Sequence, residues 1–160
     1  MNATLKFFED FPLGERREFG SHAVSEQDIV RFAREFDPQA FHVDQAAAEA
    51  SPYGGLIASG WHTCAIMMRL LCDGFLLQAA SLGSPGVDLL RWKRPVRPGD
   101  TLHLVVTVRE AKPSTSRRDR GVIVNDIEVL NANDEIVMTL QAMIMLYRRP
   151  EASAQEHFPT

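Results

Sequence analysis

The sequence predicts an α+β fold in which one long central helix is wrapped by a curved antiparallel β-sheet. Two observations predict it: a strongly apolar run from residue 56 to residue 80, and four later runs in which apolar and more polar residues alternate. Alternation is typical of half-buried strands, whereas a helix that is apolar nearly all round must be enclosed by other elements. A single sheet curved around the helix satisfies both patterns.

The length and composition are those of one ordinary globular domain. The chain has 160 residues, of which 45% are apolar and 24% charged, and we expect a single domain over residues 1–150 with a polar, flexible tail over residues 151–160. The net charge of −4 argues against a general nucleic-acid binder. Charges interrupt the N-terminal stretch MNATLKFFEDF where a signal peptide needs an apolar run, so we expect a cytoplasmic protein.

Two shorter helices are expected before the apolar run. Ser25, followed three residues later by Asp28, predicts a capped helix start, and apolar residues then repeat at helical spacing. Pro38 disfavours helical geometry at the residue before it, so this helix should end near Asp37. The Ala-rich stretch VDQAAAEA suits a second helix, with Asp44 as its N-terminal cap.

The apolar run is predicted to be one helix over residues 56–80, ended by the stop signals of SLGSPG. It contains Arg69 and Asp73, and a charge at mid-bilayer costs roughly 2.5–3.5 kcal/mol, so we expect burial in protein and not in a membrane. Cys64 and Cys72 would lie about 12 Å apart along such a helix, too far for a disulfide. No spacing of cysteines or histidines is typical of a zinc site, so we expect no metal.

The predicted strands lie mainly in the second half of the chain. They are VDLLRWKRPV, DTLHLVVTVREAK, RGVIVNDIEVLN and EIVMTLQAMIMLYRR, with NAND as the hairpin turn between the last two. A further short strand is predicted over residues 17–23. A sheet of so few strands leaves exposed edges, which dimerisation would cover.

One short segment, EFDPQAFHVD, places an acid and an imidazole five residues apart. Asp37 and His42 would suit acid–base chemistry, because histidine, with an unperturbed pKa of about 6.5, exchanges protons at neutral pH. The same spacing is also consistent with a carboxylate that caps a turn and a half-buried loop histidine. Since Asp37 lies at a helix C-terminus, whose partial negative charge disfavours a carboxylate, we expect its pKa to be raised.

Three passages together carry a resemblance to a known family. FDPQAFHVD, GGLIASGWHT and RWKRPVRPGDTL resemble, in order and spacing, the MaoC-like hydratases and dehydratases of the hotdog fold, which are related to (R)-specific enoyl-CoA hydratases. The resemblance implies a homodimer or a dimer of dimers. It also implies reversible addition of water across the α,β double bond of an acyl thioester. Coenzyme A or the phosphopantetheine of an acyl carrier protein would be part of the substrate, and no cofactor would be bound permanently.

The same resemblance implies roles for three residues. Asp37 and His42 would bind one water between them, with His42 as the base and Asp37 orienting the water and passing on the second proton. The amide of Gly60 would stabilise the thioester oxygen as it gains enolate charge, and a helix start offers such an unpaired N–H group. Close helix packing would also require a glycine at this position, so both explanations stay open.

Further residues are expected to bind substrate or to form the pocket wall. Gln39 and Trp61 are expected to contact substrate, and Ile57, Ala58 and Ser59 either to form the pocket wall or to support the catalytic residues from behind it. Trp61 would fill core or limit the acyl pocket, and His62 would be a structural hydrogen-bond donor. Arg94 and Arg97 flank the turn in RWKRPVRPGD and would bind coenzyme A phosphates, although a charged edge strand would carry the same arginines.

The sequence also departs from the family pattern. Gln39 and Ala40 stand where many members have asparagine and proline, and Met68 stands where related enzymes have a serine that helps to position the pair. That support is therefore missing or comes from elsewhere. Two other functions stay open: a thioesterase, whose carboxylate on the central helix would be Asp73, and a non-catalytic module that binds acyl thioesters.

Overall fold

The structure is a computed structural model that describes residues 5–150, so the tail predicted over residues 151–160 lies outside the described residues. Its helices are α1 (Glu26–Phe36), α2 (Ala40–Val43), α3 (Gln45–Ala50) and α4 (Gly60–Gly74). Its strands are β1 (Arg16–Ala23), β2 (Ser81–Gly83), β3 (Val87–Trp92), β4 (Thr101–Pro113), β5 (Arg120–Leu130) and β6 (Ile136–Tyr147).

The strands form one antiparallel sheet in the order β1–β4–β5–β6–β2, and β3 also pairs with β6. The register places Val106 of β4 opposite Ile127 of β5, and Ile127 opposite Leu140 of β6. Residues of β5 alternate strictly between buried and half-buried, as the two-residue period of a strand requires. All the predicted strands are confirmed, and β2 is an additional one.

The central helix α4 packs its inward side against the sheet. Its buried side chains Ile66, Met67, Leu70 and Leu71 belong to one apolar core. From the sheet, that core includes Leu102, Leu104, Val106, Ile123, Ile127, Val129, Met138, Leu140 and Leu146. The predicted α+β hotdog arrangement is therefore confirmed, because the alternating strands and the apolar helix bury each other.

The prediction of one helix over residues 56–80 is wrong at both ends, since α4 covers Gly60–Gly74. Before it, the amides of Ile57 and Ala58 donate to the carbonyls of Phe41 and Val96, so this backbone is held in extended form by tertiary partners. After it, residues 76–78 form a 3₁₀ turn, and β2 then pairs with β6. An apolar run marks burial, but it does not distinguish a buried helix from the buried chain on either side.

Three helical segments precede α4, and side chains cap two of them, α1 and α3. Ser25 Oγ accepts the Asp28 amide at 3.1 Å and caps α1, as predicted. Asp37 is the first residue beyond α1, and its amide still donates to Ala33 O. Asp44 Oδ1 accepts an amide at 2.8 Å and caps α3, also as predicted. The single turn α2 between them was not predicted.

In the single chain, α4 is not buried on all sides. Trp61, Met68, Arg69 and Asp73 are exposed on its outward face, although the apolar run predicted burial all round. Cys64 and Cys72 are both free thiols. None of the helices described between residues 5 and 150 is long and apolar enough to cross a membrane.

Candidate active site

The predicted acid and imidazole line one cleft of about 540 Å³. Its wall is formed by α2, the start of α4 and the turn after β3. The residues that line it are Asp37, Gln39, Phe41, His42, Tyr53, Ile57, Ala58, Gly60, Trp61, Thr63, Trp92, Lys93, Arg94, Pro95 and Val96. A larger cleft of about 770 Å³, near both ends of the described chain, contains neither Asp37 nor His42, so we place the candidate site in the smaller one.

Asp37 and His42 face each other across this cleft, with Asp37 Oδ2 3.4 Å from His42 Nε2. His42 is 4% exposed, and its Nδ1 lies 2.7 Å from the carbonyl oxygen of Ile57. Because a carbonyl oxygen can only accept, Nδ1 carries a proton, and in the neutral form of the ring the lone pair of Nε2 faces Asp37. Two acceptors at this separation can bind the two hydrogens of one water.

The backbone between the two residues explains this geometry. The Gln39 amide donates to Asp37 O, and the His42 amide donates to Gln39 O, so the chain turns back at Pro38. The turn of α2 then brings His42 beneath the end of α1. Pro38 predicted the turn, but nothing in the sequence alone indicated that a helical turn follows it.

The predicted rise in the pKa of Asp37 is wrong. The hydroxyl of Ser59 donates to Oδ2 at 2.7 Å, and the side-chain amide of Gln39 donates to Oδ1 at 2.8 Å. The hydrogen bond from Ser59 is the main cause that lowers the pKa of Asp37, with Gln39 and the charge of His42 adding to it, while partial burial acts in the opposite direction. Donors aimed at the carboxylate thus outweigh its partial burial.

Ser59 fills the gap that the sequence left in the support of the pair. It is fully buried and is absent from the cleft surface, so it lies behind the pocket wall and supports Asp37, which is one of the two positions predicted for it. Ser59 also caps α4, because its Oγ accepts the Trp61 amide at 3.2 Å. Met68, at the position where related enzymes have a serine, is exposed and lies outside the cleft. The missing support for the pair therefore comes from Ser59.

Gly60 lies on the cleft surface, and packing accounts for its lack of a side chain. It is the first residue of α4, and among residues 5–150 its amide donates no hydrogen bond. A Cβ at this position would lie 2.4 Å from Cε2 of Trp92, and the Trp92 indole donates to Gly60 O at 3.0 Å. Of the two explanations for the glycine, close packing is the one that the structure supports.

The remaining predicted wall residues divide into two groups. Gln39, Ile57 and Ala58 line the cleft as expected, although Ile57 also orients His42 through its carbonyl. Trp61 lines the cleft but does not fill the core, because it is 60% exposed and meets Trp92 edge-to-face with ring centroids 5.5 Å apart. Phe41, Tyr53 and Trp92 complete an aromatic rim that the sequence analysis did not identify.

The two predicted phosphate-binding arginines have different positions. Arg94 lines the cleft, with its guanidinium 3.6 Å from the carboxylate of Glu135. Arg97 does not line the cleft, and its guanidinium donates to Tyr53 O at 2.6 Å, so it holds a loop in place. Lys93, for which no role was predicted from the sequence, is the second cation at the cleft. Alternation along a strand could not decide this, since these residues follow the end of β3.

Two residues considered from the sequence lie outside the cleft. His62 is 7% exposed and stacks on Phe32 with centroids 4.7 Å apart, and its Nδ1 has no hydrogen-bond partner, so it is not the predicted structural donor. Burial lowers the pKa of His62. Asp73 is exposed on α4 and forms an ion pair with Arg69 at 2.8 Å. Within residues 5–150, no group of three or more His, Cys, Asp or Glu side chains could hold a metal ion.

Comparison with known proteins identifies the family of this chain. The MaoC-like domain model matches residues 10–131. The crystal structure of a MaoC-like dehydratase from Rhodospirillum rubrum is 44% identical, with a TM-score of 0.84 over 91% of this chain and 99% of that one. The uncharacterised protein YdeM of Bacillus subtilis is 29% identical over 140 residues, 88% of this chain and 98% of that protein. The 3-hydroxybutyryl-CoA dehydratase of Methylorubrum extorquens is 26% identical over 151 residues, 91% of this chain and 87% of that protein. The family model covers well over half of the chain, which therefore belongs to the MaoC-like domain family.

Proposed function

We propose that this protein catalyses the reversible hydration and dehydration of an α,β-unsaturated acyl thioester. The observation that carries the proposal is the pair of acceptors, Asp37 Oδ2 and His42 Nε2, 3.4 Å apart at the surface of one cleft. Membership of the MaoC-like domain family supports this reaction in general, and one relative is named as a 3-hydroxybutyryl-CoA dehydratase.

In the proposed hydration, Asp37 and His42 hold one water by its two hydrogens. His42 Nε2 takes one proton as the water oxygen bonds to Cβ, and the electron pair of the double bond moves towards the thioester oxygen. The resulting enolate then takes that proton from Nε2 at Cα, so that one water is added in total. The Ile57 carbonyl holds the Nδ1–H of His42 throughout and keeps Nε2 as the reacting nitrogen.

Asp37 has the orienting role in this scheme. The hydrogen bonds from Ser59 and Gln39 lower its pKa, so the carboxylate stays ionised at neutral pH and accepts a hydrogen from the water. An ionised carboxylate also stabilises the imidazolium that forms on His42. Its assigned part in this scheme is therefore to align the water and to stabilise the imidazolium, and not to store a proton.

The thioester oxygen would bind at the start of α4. The Gly60 amide is free of protein partners among the described residues and lines the same cleft as Asp37. A preorganised backbone N–H there would stabilise the charge that develops on the oxygen. No cofactor is needed in this scheme beyond the coenzyme A or phosphopantetheine arm of the substrate, whose phosphates Lys93 and Arg94 would meet at the cleft.

The decisive experiment offers purified protein crotonyl-CoA and a longer enoyl-CoA and follows the loss of ultraviolet absorbance of the conjugated double bond. We expect hydration by the wild type and by Arg69→Ala, whose side chain is exposed outside the cleft, and none by Asp37→Asn. Release of free thiol would instead indicate a thioesterase. Binding without turnover would indicate a non-catalytic module. Either result would overturn the proposal.

We also propose that the protein assembles as a homodimer, or as a dimer of such dimers, through β3. Among the described strands, β3 pairs only with β6, and Val87, Leu89 and Trp92 are exposed along it. Pairing of two copies along this edge would satisfy its free backbone groups. Sedimentation equilibrium should give twice the 17.9 kDa mass of the chain, or four times that mass. A mass of one chain at all concentrations would contradict this assembly.

A further inference from the structure

Trp92 makes two contacts with Gly60 that no other residue of the cleft makes. The indole N–H donates to Gly60 O at 3.0 Å. The ring lies so close to Gly60 that a Cβ there would be 2.4 Å from Cε2 and 2.6 Å from Nε1. Trp92 thus holds the first residue of α4 by a polar contact at its carbonyl and by ring packing at its Cα.

These contacts are not those of an ordinary core side chain. Trp92 is 46% exposed and ends β3, where the register places it opposite the fully buried Met138. The carbonyl of Gly60 belongs to the first turn of α4, where carbonyls already accept amides within the helix. The indole N–H is therefore an additional partner, and its effect is to restrict how Gly60 is oriented. Trp61, the neighbouring exposed indole, packs against Trp92 with the two rings nearly perpendicular.

The other side of Gly60 is also fixed. Ser59 Oγ accepts the Trp61 amide, and Ser59 O accepts the Thr63 amide at 3.1 Å. The same Ser59 hydroxyl donates to Asp37 Oδ2. Gly60 therefore lies between two fixed groups, Ser59 on the side of the acid and Trp92 on the side of the sheet, while its own amide stays free among residues 5–150.

We propose that Trp92 is a positioning residue that holds the Gly60 amide where the thioester oxygen gains charge, and that position 60 is glycine because the indole occupies the space of a side chain. This inference rests on the proposed function and adds a residue to it. Donors aimed at a developing charge act strongly only when they are held in place, and a displacement of about 1 Å can reduce a rate by about 100-fold. Trp92 supplies that constraint.

The first test measures steady-state hydration of crotonyl-CoA. Trp92→Phe keeps most of the ring and loses the N–H donor, and we expect kcat to fall about tenfold. Trp92→Ala loses both contacts, and we expect a fall of about 100-fold. KM should change by less than about threefold in both, because the Gly60 amide acts mainly in the transition state. Tyr147→Ala, a similarly exposed aromatic on β6 outside the cleft, is the matched control and should keep the wild-type kcat.

The second test is a double-mutant cycle between positions 60 and 92. Gly60→Ala alone forces a Cβ into the indole, and we expect Tm to fall by about 3–10 °C. In the Trp92→Ala background, the same change should alter Tm by less than about 2 °C, because the indole that the new Cβ would meet is gone. If position 60 had to be glycine so that the substrate could approach it, Gly60→Ala would remove activity in both backgrounds. That result would overturn the explanation of the glycine by the Trp92 indole.

The outcomes separate this inference from the proposed function. A wild type that hydrates no enoyl thioester overturns the proposed function, and the role of Trp92 in positioning fails with it. An active wild type whose Trp92→Phe variant keeps full kcat overturns the role of Trp92 alone. A Trp92→Phe variant that raises KM with kcat unchanged also overturns it, since that result describes substrate binding and not transition-state positioning.

Discussion

The start of α4 has two buried histidines close to it, and their surroundings differ. His42 has Nδ1 bound to the Ile57 carbonyl and Nε2 facing Asp37 in the cleft. His62 is buried to a similar degree, but it stacks on Phe32 and its Nδ1 has no partner. Burial alone therefore does not make a histidine a proton-transfer group. Such a group also needs one nitrogen held by a donor or acceptor and the other presented to the reactants.

The two acids near these histidines extend the same comparison. Asp37 accepts from Ser59 and Gln39 and keeps one side in the cleft. The charge of Asp28 favours protonated His62, but the Asp28 carboxylate already accepts a hydrogen bond from the Ser25 hydroxyl at the cap of α1. One side of α4 thus has an acid, a base and an oriented hydroxyl together, whereas the other side has an imidazole used as a flat packing surface. The predictions below test that difference.

The largest expected difference is between substitutions of the two histidines. His42→Ala should reduce kcat for crotonyl-CoA hydration by about 10²–10⁴-fold, because it removes the proposed base. His62→Phe keeps a flat ring against Phe32 and should leave kcat within about threefold of the wild type. Steady-state rates at saturating substrate measure both. Equal losses in the two variants would contradict the assignment of His42 as the sole base.

A smaller effect is expected for Ser59→Ala, which removes the main hydrogen bond to Asp37. A hydrogen bond to a charged group contributes about 1.5–3 kcal/mol, so kcat should fall about 10–100-fold. The pKa of Asp37 should rise towards its ordinary value of 3.8, and carboxyl carbon NMR titration would measure it.

The sign of the linked stability change follows from that pKa. The pKa of Asp37 is lower in the folded protein than its ordinary value of 3.8. The ionised carboxylate therefore stabilises the fold at pH values above 3.8, and this stabilisation is lost as the pH falls through the pKa of the folded protein. Ser59→Ala should therefore lower Tm more at pH 7 than at pH 2. A Tm difference that is the same at both pH values would show that the hydroxyl does not stabilise the carboxylate.

The smallest effect concerns His62 and stability. Burial lowers the pKa of His62 below 6.5, the charge of Asp28 opposes that shift, and His22 and Arg31 add to it. The unfolded chain thus binds the proton more readily, so stability declines as the pH falls through about 6.5 and levels off below the folded pKa. His62→Phe should remove this decline. As the pH is lowered from 7.5 to 5, the Tm of the variant should rise relative to that of the wild type. A difference that stays constant would show that burial does not lower the pKa of His62.

Much of this molecule follows from local pattern. The alternation in β4, β5 and β6, which is strict in β5, arises because one face of each strand lies in the apolar core, and that periodicity is visible in the sequence. The cap at Ser25 and the turn at Pro38 depend on neighbouring residues only, so they too could be predicted. The candidate acid and imidazole belong to this group because only five positions separate Asp37 from His42.

Other features depend on residues that are distant in sequence. Ser59 reaches Asp37 across 22 positions, and Trp92 reaches Gly60 across 32 positions. No periodicity connects such pairs. The sequence therefore does not reveal that Ser59 supports Asp37 in place of Met68, and it does not reveal the donors that lower the pKa of Asp37. Arg97 illustrates the same limit, since its partner is the backbone of Tyr53, 44 positions away.

The sequence by itself determined the order of the longer helices and strands, the core faces of the sheet and the acid–imidazole segment, because these depend on local propensity and on the period of apolar residues. The tertiary structure alone decided which groups surround that segment: the donors on Asp37, the carbonyl that sets the tautomer of His42, and the indole against Gly60. The physical reason is that proton affinity and orientation depend on atoms within a few ångströms, and folding brings those atoms together from separate elements.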